Sequence, residues 1–298
     1  MEQVLRGVAG AVTAITGFEK GSGKTAFLSL ALPHARQAGP VALFTIGSDG
    51  ASGPAKRSRS AGIRVEPGDV VLTTEPLARA SESRFEILHT VPGRVALGRL
   101  VLGRARRGGC VTLVGAEHFS ALSQAMTLIR AEGWAASALI DGAVARMTQI
   151  AALPGWAPPG PESTRSAGRL QFAFAVRADR GNLARVAARI RLLDRLADLP
   201  LDDGRDPEVL RLEGPLTSEG LRALPQGTAA FSLEDFTKVF VEPPEFLRAL
   251  EARRVLVRRT FHLLCFAVIL RDLSRQAFLE ALGPHGAPRI LFNPYEAA

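Results

Sequence analysis

Two short runs of apolar and β-branched residues, Ala11 to Thr16 (AVTAIT) and Val41 to Ile46 (VALFTI), have the pattern of strands buried on both faces of a parallel sheet. Between them, residues 25 to 37 carry Phe27, Leu28, Leu30 and Leu32 at helical spacing, with Pro33 as a candidate kink and Gly39-Pro40 as the stop. Asp69 to Thr73 predicts a further strand and Glu75 to Ala80 a helical turn. Extended segments follow at Phe85 to Val91, Val95 to Ala105 and Cys110 to Val114. Phe119, Leu122, Met126 and Ile129 mark a helix ending at Gly133, with Ala136 to Ile140 extended after it.

The second half repeats the alternation. Leu170 to Val176 predicts a strand, and Leu183, Val186, Ile190, Leu193 and Ala197 line one face of an amphipathic helix. Short elements are expected at Val209 to Leu212, Ser218 to Ala223, Ala229 to Leu233 and Glu245 to Arg253. Val255 to Leu270 predicts a long or broken central strand, ahead of a helix at Gln276 to Leu282 and a strand at Arg289 to Phe292. Strands alternating with helices predict an α/β fold, a mostly parallel sheet flanked by helices with a second α/β half. Leu153 to Gly168 (LPGWAPPGPESTRSAG) is dense in Pro, Gly and Ser. The expected division is therefore 1–154, a linker or long loop at 155–168, and a C-terminal α/β region at 169–298, separate from the first sheet or continuous with it.

Composition narrows the picture. At 298 residues, with 47% hydrophobic and 22% charged, the chain can bury a core, which excludes wholesale disorder. The apolar stretch Leu263 to Leu270 is far shorter than the roughly 20 residues of a membrane span, so no membrane association is expected. The N-terminus lacks a sustained apolar core of a secretory signal. Cys110 and Cys265 stand far apart in apolar contexts, which leaves no disulfide framework or Cys-ligated zinc site. The expected location is the cytoplasm. A net charge of +8 raises nucleic acid as a partner. The basic residues are nearly all Arg, spread along the chain, and aromatics are only 6%, so no stacking platform is present and nucleic-acid binding is not expected.

Lys occurs only at positions 20, 24, 56 and 238, and two of these fall in GFEKGSGKT, directly after the first strand. Strand, glycine-rich loop, Gly23-Lys24-Thr25, then helix is the setting of a P-loop (Walker A), and it predicts a P-loop NTPase-like first region. In that chemistry Gly21, Ser22 and Gly23 turn backbone N–H groups toward phosphate, Lys24 reaches the β and γ oxygens, and Thr25 offers its hydroxyl to Mg²⁺. ATP and Mg²⁺ are the implied cofactors. The GxxxxGK[ST] pattern expects Gly at position 18, which is Phe18; Gly17 serves only if the loop is re-registered. The competing reading is a glycine-rich strand-to-helix turn with an incidental GKT.

Nucleotide hydrolysis also needs a carboxylate near Mg²⁺ at a neighbouring strand end. Asp49 in TIGSDG, Glu75 after DVVLTT and Asp141 in ALIDGA are the candidates, with Asp49 and Asp141 as candidate Mg²⁺ ligands; each alone also fits an Asx-turn or a helix N-cap. The five histidines show no HxxxH or HExxH spacing, and no GxSxG elbow is present.

GSGKT, TIGSDG, LVGA before a helix, LIDGAVARM and DFTKVFVEPPEFLRAL together resemble the lysine 5,6-aminomutase reactivase subunit family, related to the reactivases of ornithine aminomutase. The resemblance runs from the P-loop to the last strand. It implies an ATP-binding, chaperone-like subunit that helps restore an adenosylcobalamin-dependent aminomutase by nucleotide-driven exchange of damaged cofactor. Its implied partners are the aminomutase subunits, which carry the adenosylcobalamin, and a MutS-like ATPase subunit. Carried over, Gly21, Gly23, Lys24 and Thr25 bind phosphate and Mg²⁺, with Asp49 and Asp141 facing the same pocket. Phe18 and the Pro-rich LPGWAPPGP depart from the family pattern, which bears on turnover more than on binding. A small-molecule P-loop kinase, with Arg57 and Arg59 as a lid, and a nucleotide-binding scaffold without turnover are the alternatives. The Arg-rich helix at 183–197 is the candidate partner surface, against a merely solvated face.

Overall fold

The computed structural model describes residues 2–46, 62–95, 97–115, 119–142, 147–153, 170–283 and 289–292. They fall into two units, Met1–Phe174 and Ala175–Ala298. The division lies inside the strand Leu170–Ala178, and the expected linker, 155–168, lies outside the described residues.

The first unit contains α1 (Glu2–Arg6), β1 (Val12–Gly17), α2 (Lys24–Ala35), β2 (Val41–Ile46), β3 (Ile63–Val65), β4 (Val70–Thr74), α3 (Glu75–Ala80), β5 (Arg84–Val95), β6 (Gly98–Arg107), β7 (Gly109–Val111), α4 (Phe119–Ala131), β8 (Ser137–Gly142), α5 (Met147–Ala151) and the start of β9 (Leu170–Ala178). Its sheet runs β9-β1-β8-β2-β4-β6-β5. The pairs β1–β8, β8–β2 and β2–β4 are parallel, whereas β6 is antiparallel to both β4 and β5. The apolar runs of the sequence are the parallel strands: β1 is buried along its whole length, β2 everywhere but Thr45, and β8 everywhere but Asp141.

One expectation changes. CVTLV is not a strand of the main sheet, because only Gly109–Val111 pairs, antiparallel with β3, in a separate two-stranded ribbon. The next carbonyl, that of Thr112, accepts a hydrogen bond from the Thr73 hydroxyl at 2.9 Å, which gives that backbone group a side-chain partner in place of a ladder. Pro33 lies inside α2, which runs to Ala35 and tightens into a 3-10 turn over Arg36–Ala38 before stopping at Gly39, where the sequence placed its end.

Polar ties hold the frame of this unit. Asp69, only 2% exposed, takes the Arg36 guanidinium at 2.6 Å, the Glu66 N–H at 2.9 Å and the Val41 N–H at 3.2 Å, joining the end of α2 to the starts of β2 and β4. The buried Ser137 hydroxyl donates to Ala35 O and accepts from Gly10 N, each at 2.9 Å, so α2, β8 and the segment before β1 share one anchor. Such satisfied polar groups fix register between elements that apolar contacts alone would let slide.

The second unit holds the rest of β9, then α6 (Leu183–Ala197), β10 (Leu210–Arg211), β11 (Leu216–Thr217), α7 (Ser218–Arg222), β12 (Ala230–Leu233), β13 (Val239–Phe240), α8 (Pro243–Ala252), β14 (Arg254–Val257), β15 (His262–Leu270), α9 (Arg275–Leu282) and β16 (Ile290–Phe292). Here β15 lies between β9 and β16, a parallel three-stranded sheet runs β10-β12-β14, and β11 pairs with β13. Val255 to Leu270 is therefore broken, its two parts serving different sheets. Arg258 and Arg259 stand at the break, donating to Leu212 O at 3.0 Å and to Asp235 at 2.5 Å. The α6 helix packs against α8 and α9. Its Arg face is not uniformly solvated: Arg191 donates to Ala281 O at 2.7 Å, and burial, with the Arg185 charge adding, pulls Arg189 below the ordinary arginine range. Among the described residues no helix is long and apolar enough to cross a membrane.

Candidate functional site

β1 ends at Gly17, and seven residues later α2 begins. Gly21 and Gly23 take the left-handed conformation, at φ 77° and 95°, which a side chain would strain. Gly23 caps α2 with no side-chain hydrogen bond, and the first turn of the helix holds no acidic residue. The leading N–H groups and the positive end of the helix dipole thus keep their full attraction for an anion. Lys24 and Thr25 open the helix at that point, Lys24 half-buried and Thr25 exposed.

Gly17 stands where a side chain would not fit. A Cβ built on it would lie 2.0 Å from Ser22 Oγ and 3.2 Å from Glu19 O, so the loop folds back onto the strand end and needs a bare Cα there. The extra residue, Phe18, turns its ring toward Phe174, with centroids 6.0 Å apart. Ser22 and Thr16 are fully buried, and their hydroxyls have no hydrogen-bond partner among the described residues. Leaving a buried hydroxyl unsatisfied costs about 1–3 kcal/mol, so each of these calls for a partner such as a bound water or ion.

Strand register brings the second half of the site into place. β8 lies between β1 and β2, with Asp141 paired to Ile15 on one side and to Thr45 on the other. A cavity of about 130 Å³ opens there. It is lined by Thr25 from α2, Thr45 from β2 and Asp141 from β8, together with Gly62 and Ile63 at β3 and Val111, Thr112 and Leu113 at and after β7. A hydroxyl and a carboxylate on one cavity are hard oxygen donors, the set that suits Mg²⁺ with its remaining ligands supplied by water and phosphate.

Of the residues singled out in the sequence, Gly21, Ser22, Gly23, Lys24 and Thr25 form one loop and helix start, and Asp141 shares the cavity with Thr25. Glu75 does not line that cavity; it begins α3 beyond β4 and pairs with Arg79 at 2.5 Å. Asp49, Arg57 and Arg59 lie outside the described residues. Thr45 and Thr112 were not singled out. The available signal was positional: Thr45 is the fifth residue of VALFTI as Asp141 is the fifth of SALIDG, and each is the one position of its strand that is not buried.

Compared with protein-family models, with curated proteins and with solved structures, the chain matches none.

Proposed function

We propose that residues 17–25 and Asp141 bind a Mg²⁺-nucleotide, ATP by the resemblance described above. The observation that carries this reading is the meeting of Thr25 and Asp141 on one cavity at the carboxyl ends of parallel strands, beside an uncapped helix N-terminus. The loop N–H groups and Lys24 hold the phosphate chain. Thr25 and Asp141 would hold the metal, which would supply charge neutralisation of the phosphate chain.

In its finer form the reading follows the resemblance. The chain serves as the ATP-binding subunit of a reactivase for an adenosylcobalamin-dependent lysine 5,6-aminomutase, working with a MutS-like ATPase subunit in the cytoplasm. Nucleotide drives cofactor exchange there only if one nucleotide state binds the releasing conformer of the aminomutase better than the other does. Titration calorimetry with Mg·ATP tests the first level. Lys24→Ala is expected to bind about 10- to 100-fold more weakly, the loss of a charge-assisted contact. Equal affinity of wild type and variant makes the GKT incidental. Restored turnover of an inactivated aminomutase by this chain, its partner ATPase, Mg·ATP and fresh adenosylcobalamin tests the second; no rescue and no co-purification in any nucleotide state removes it.

A further inference from the structure

We infer that Thr45 makes the site selective for a nucleoside triphosphate over the diphosphate, by donating its hydroxyl to the terminal phosphate inside the cavity; this rests on the nucleotide reading above. Thr45 and Asp141 are register partners on adjacent parallel strands, and each is the single residue of its strand left open, to the same cavity. Their alignment is a property of the sheet and not of a loop, so the hydroxyl and the carboxylate are held at fixed spacing. Thr25 stands on the same cavity, so a phosphate chain leaving the loop at the start of α2 extends into it.

The space suits a phosphoryl group. The cavity, at about 130 Å³, is close to the roughly 150 Å³ of one that admits a benzene-sized molecule. That is room for a phosphoryl group with its metal ion. The surrounding wall is apolar at Ile63, Val111 and Leu113. A hydrogen bond to an ionised oxygen beside such a wall is worth more than the same bond in water, because the local dielectric is low. A diphosphate leaves this space without a phosphoryl group and forfeits that bond.

The test compares the affinity of Mg²⁺ with a non-hydrolysable ATP analogue bearing an imido bridge against that of Mg·ADP, in wild type, Thr45→Val and Thr45→Ser. Wild type is expected to prefer the triphosphate analogue. Thr45→Val, nearly the same shape without the donor, is expected to lose that preference by about tenfold with ADP affinity unchanged. Thr45→Ser keeps the donor and retains the preference. Equal binding of both nucleotides by wild type overturns the inference and leaves the nucleotide site standing. An equal loss for both nucleotides in Thr45→Val, or failure of Thr45→Ser to retain the preference, overturns it also, since Thr45 then acts only in packing. Binding of neither nucleotide by wild type removes the nucleotide reading and this inference together.

Discussion

A methyl group placed on Gly17 would stand 2.0 Å from the hydroxyl oxygen of Ser22, while its next contacts, Glu19 O and Lys24 Cγ, would lie at 3.2 Å. The severest obstacle to a side chain at the end of β1 is thus one atom of one residue, with Glu19 O and Lys24 Cγ also closer than a Cβ ordinarily comes. Gly17→Ala is expected to destabilise the protein by about 1–3 kcal/mol, as overpacking does, and to weaken nucleotide binding as the loop shifts. Ser22→Ala removes the clashing atom together with a buried hydroxyl that has no hydrogen-bond partner among the described residues, so alone it costs little. The double variant should recover most of the loss, with a coupling energy of about 0.5–3 kcal/mol in a denaturation cycle. Additive effects would mean that the loop already relaxes away from Gly17.

The metal contribution divides the acidic candidates. If the proposed site holds Mg²⁺ between Asp141 and the nucleotide, Asp141→Asn should reduce the gain in nucleotide affinity on adding Mg²⁺ and leave metal-free binding nearly as it was. Glu75→Gln should leave the Mg²⁺ gain intact, since Glu75 pairs with Arg79 and is not among the residues lining the cavity. Calorimetric titrations with and without the metal read both. A Mg²⁺ gain unaffected by Asp141→Asn would take Asp141 out of the site.

These distinctions mark how far the sequence carries. VALFTI and AVTAIT were legible as strands because a parallel strand covered on both faces must be apolar throughout, and GKT directly after such a strand was legible as a glycine-rich turn leading into a helix. The order β1-β8-β2-β4 was not, and it alone puts Asp141 beside the loop while β2 separates β8 from the strand that leads to Glu75. Sheet order is set by pairings between distant segments, which local pattern does not encode. Thr45 was hidden for a related reason: one Thr in an apolar run is ordinary β-strand composition. It becomes distinctive only through its register with Asp141. The three-residue ribbon strand Ile63–Val65 is too short to carry a period.

The two cysteines should separate cleanly by chemistry. Cys265 is fully buried on β15, and burial alone pushes its thiol up to about 12, leaving almost no thiolate at neutral pH. Cys110 is partly exposed. Iodoacetamide on the native protein is expected to alkylate Cys110 and spare Cys265 until denaturant is added, as peptide mass mapping would read. Modification of Cys265 under native conditions would show that β15 opens well below the global unfolding free energy.

Acid should find a weak point in the second unit at Asp202. Its carboxylate accepts from Ser232 Oγ at 2.7 Å, from Arg211 Nε at 3.0 Å and from the Gly204 N–H at 3.0 Å. The Ser232 hydroxyl first, then Arg211 and the backbone donor, hold its pKa at about 2, below the ordinary 3.8. A carboxyl whose folded pKa is depressed adds stability that is complete above its unfolded value and disappears as pH falls through the folded one. The contribution should therefore be constant from neutral pH down to about 5 and decline between about pH 4 and pH 2. Thermal midpoints of wild type and Asp202→Asn should differ most above pH 5 and converge as pH falls toward 2. Ser232→Ala should begin its decline at higher pH than wild type, because removing the largest cause of the depression moves the Asp202 pKa back up. A gap between wild type and Asp202→Asn that stays constant across this range would mean that the carboxylate's charge contributes nothing and that Asp202 acts only through the shape of its hydrogen bonds.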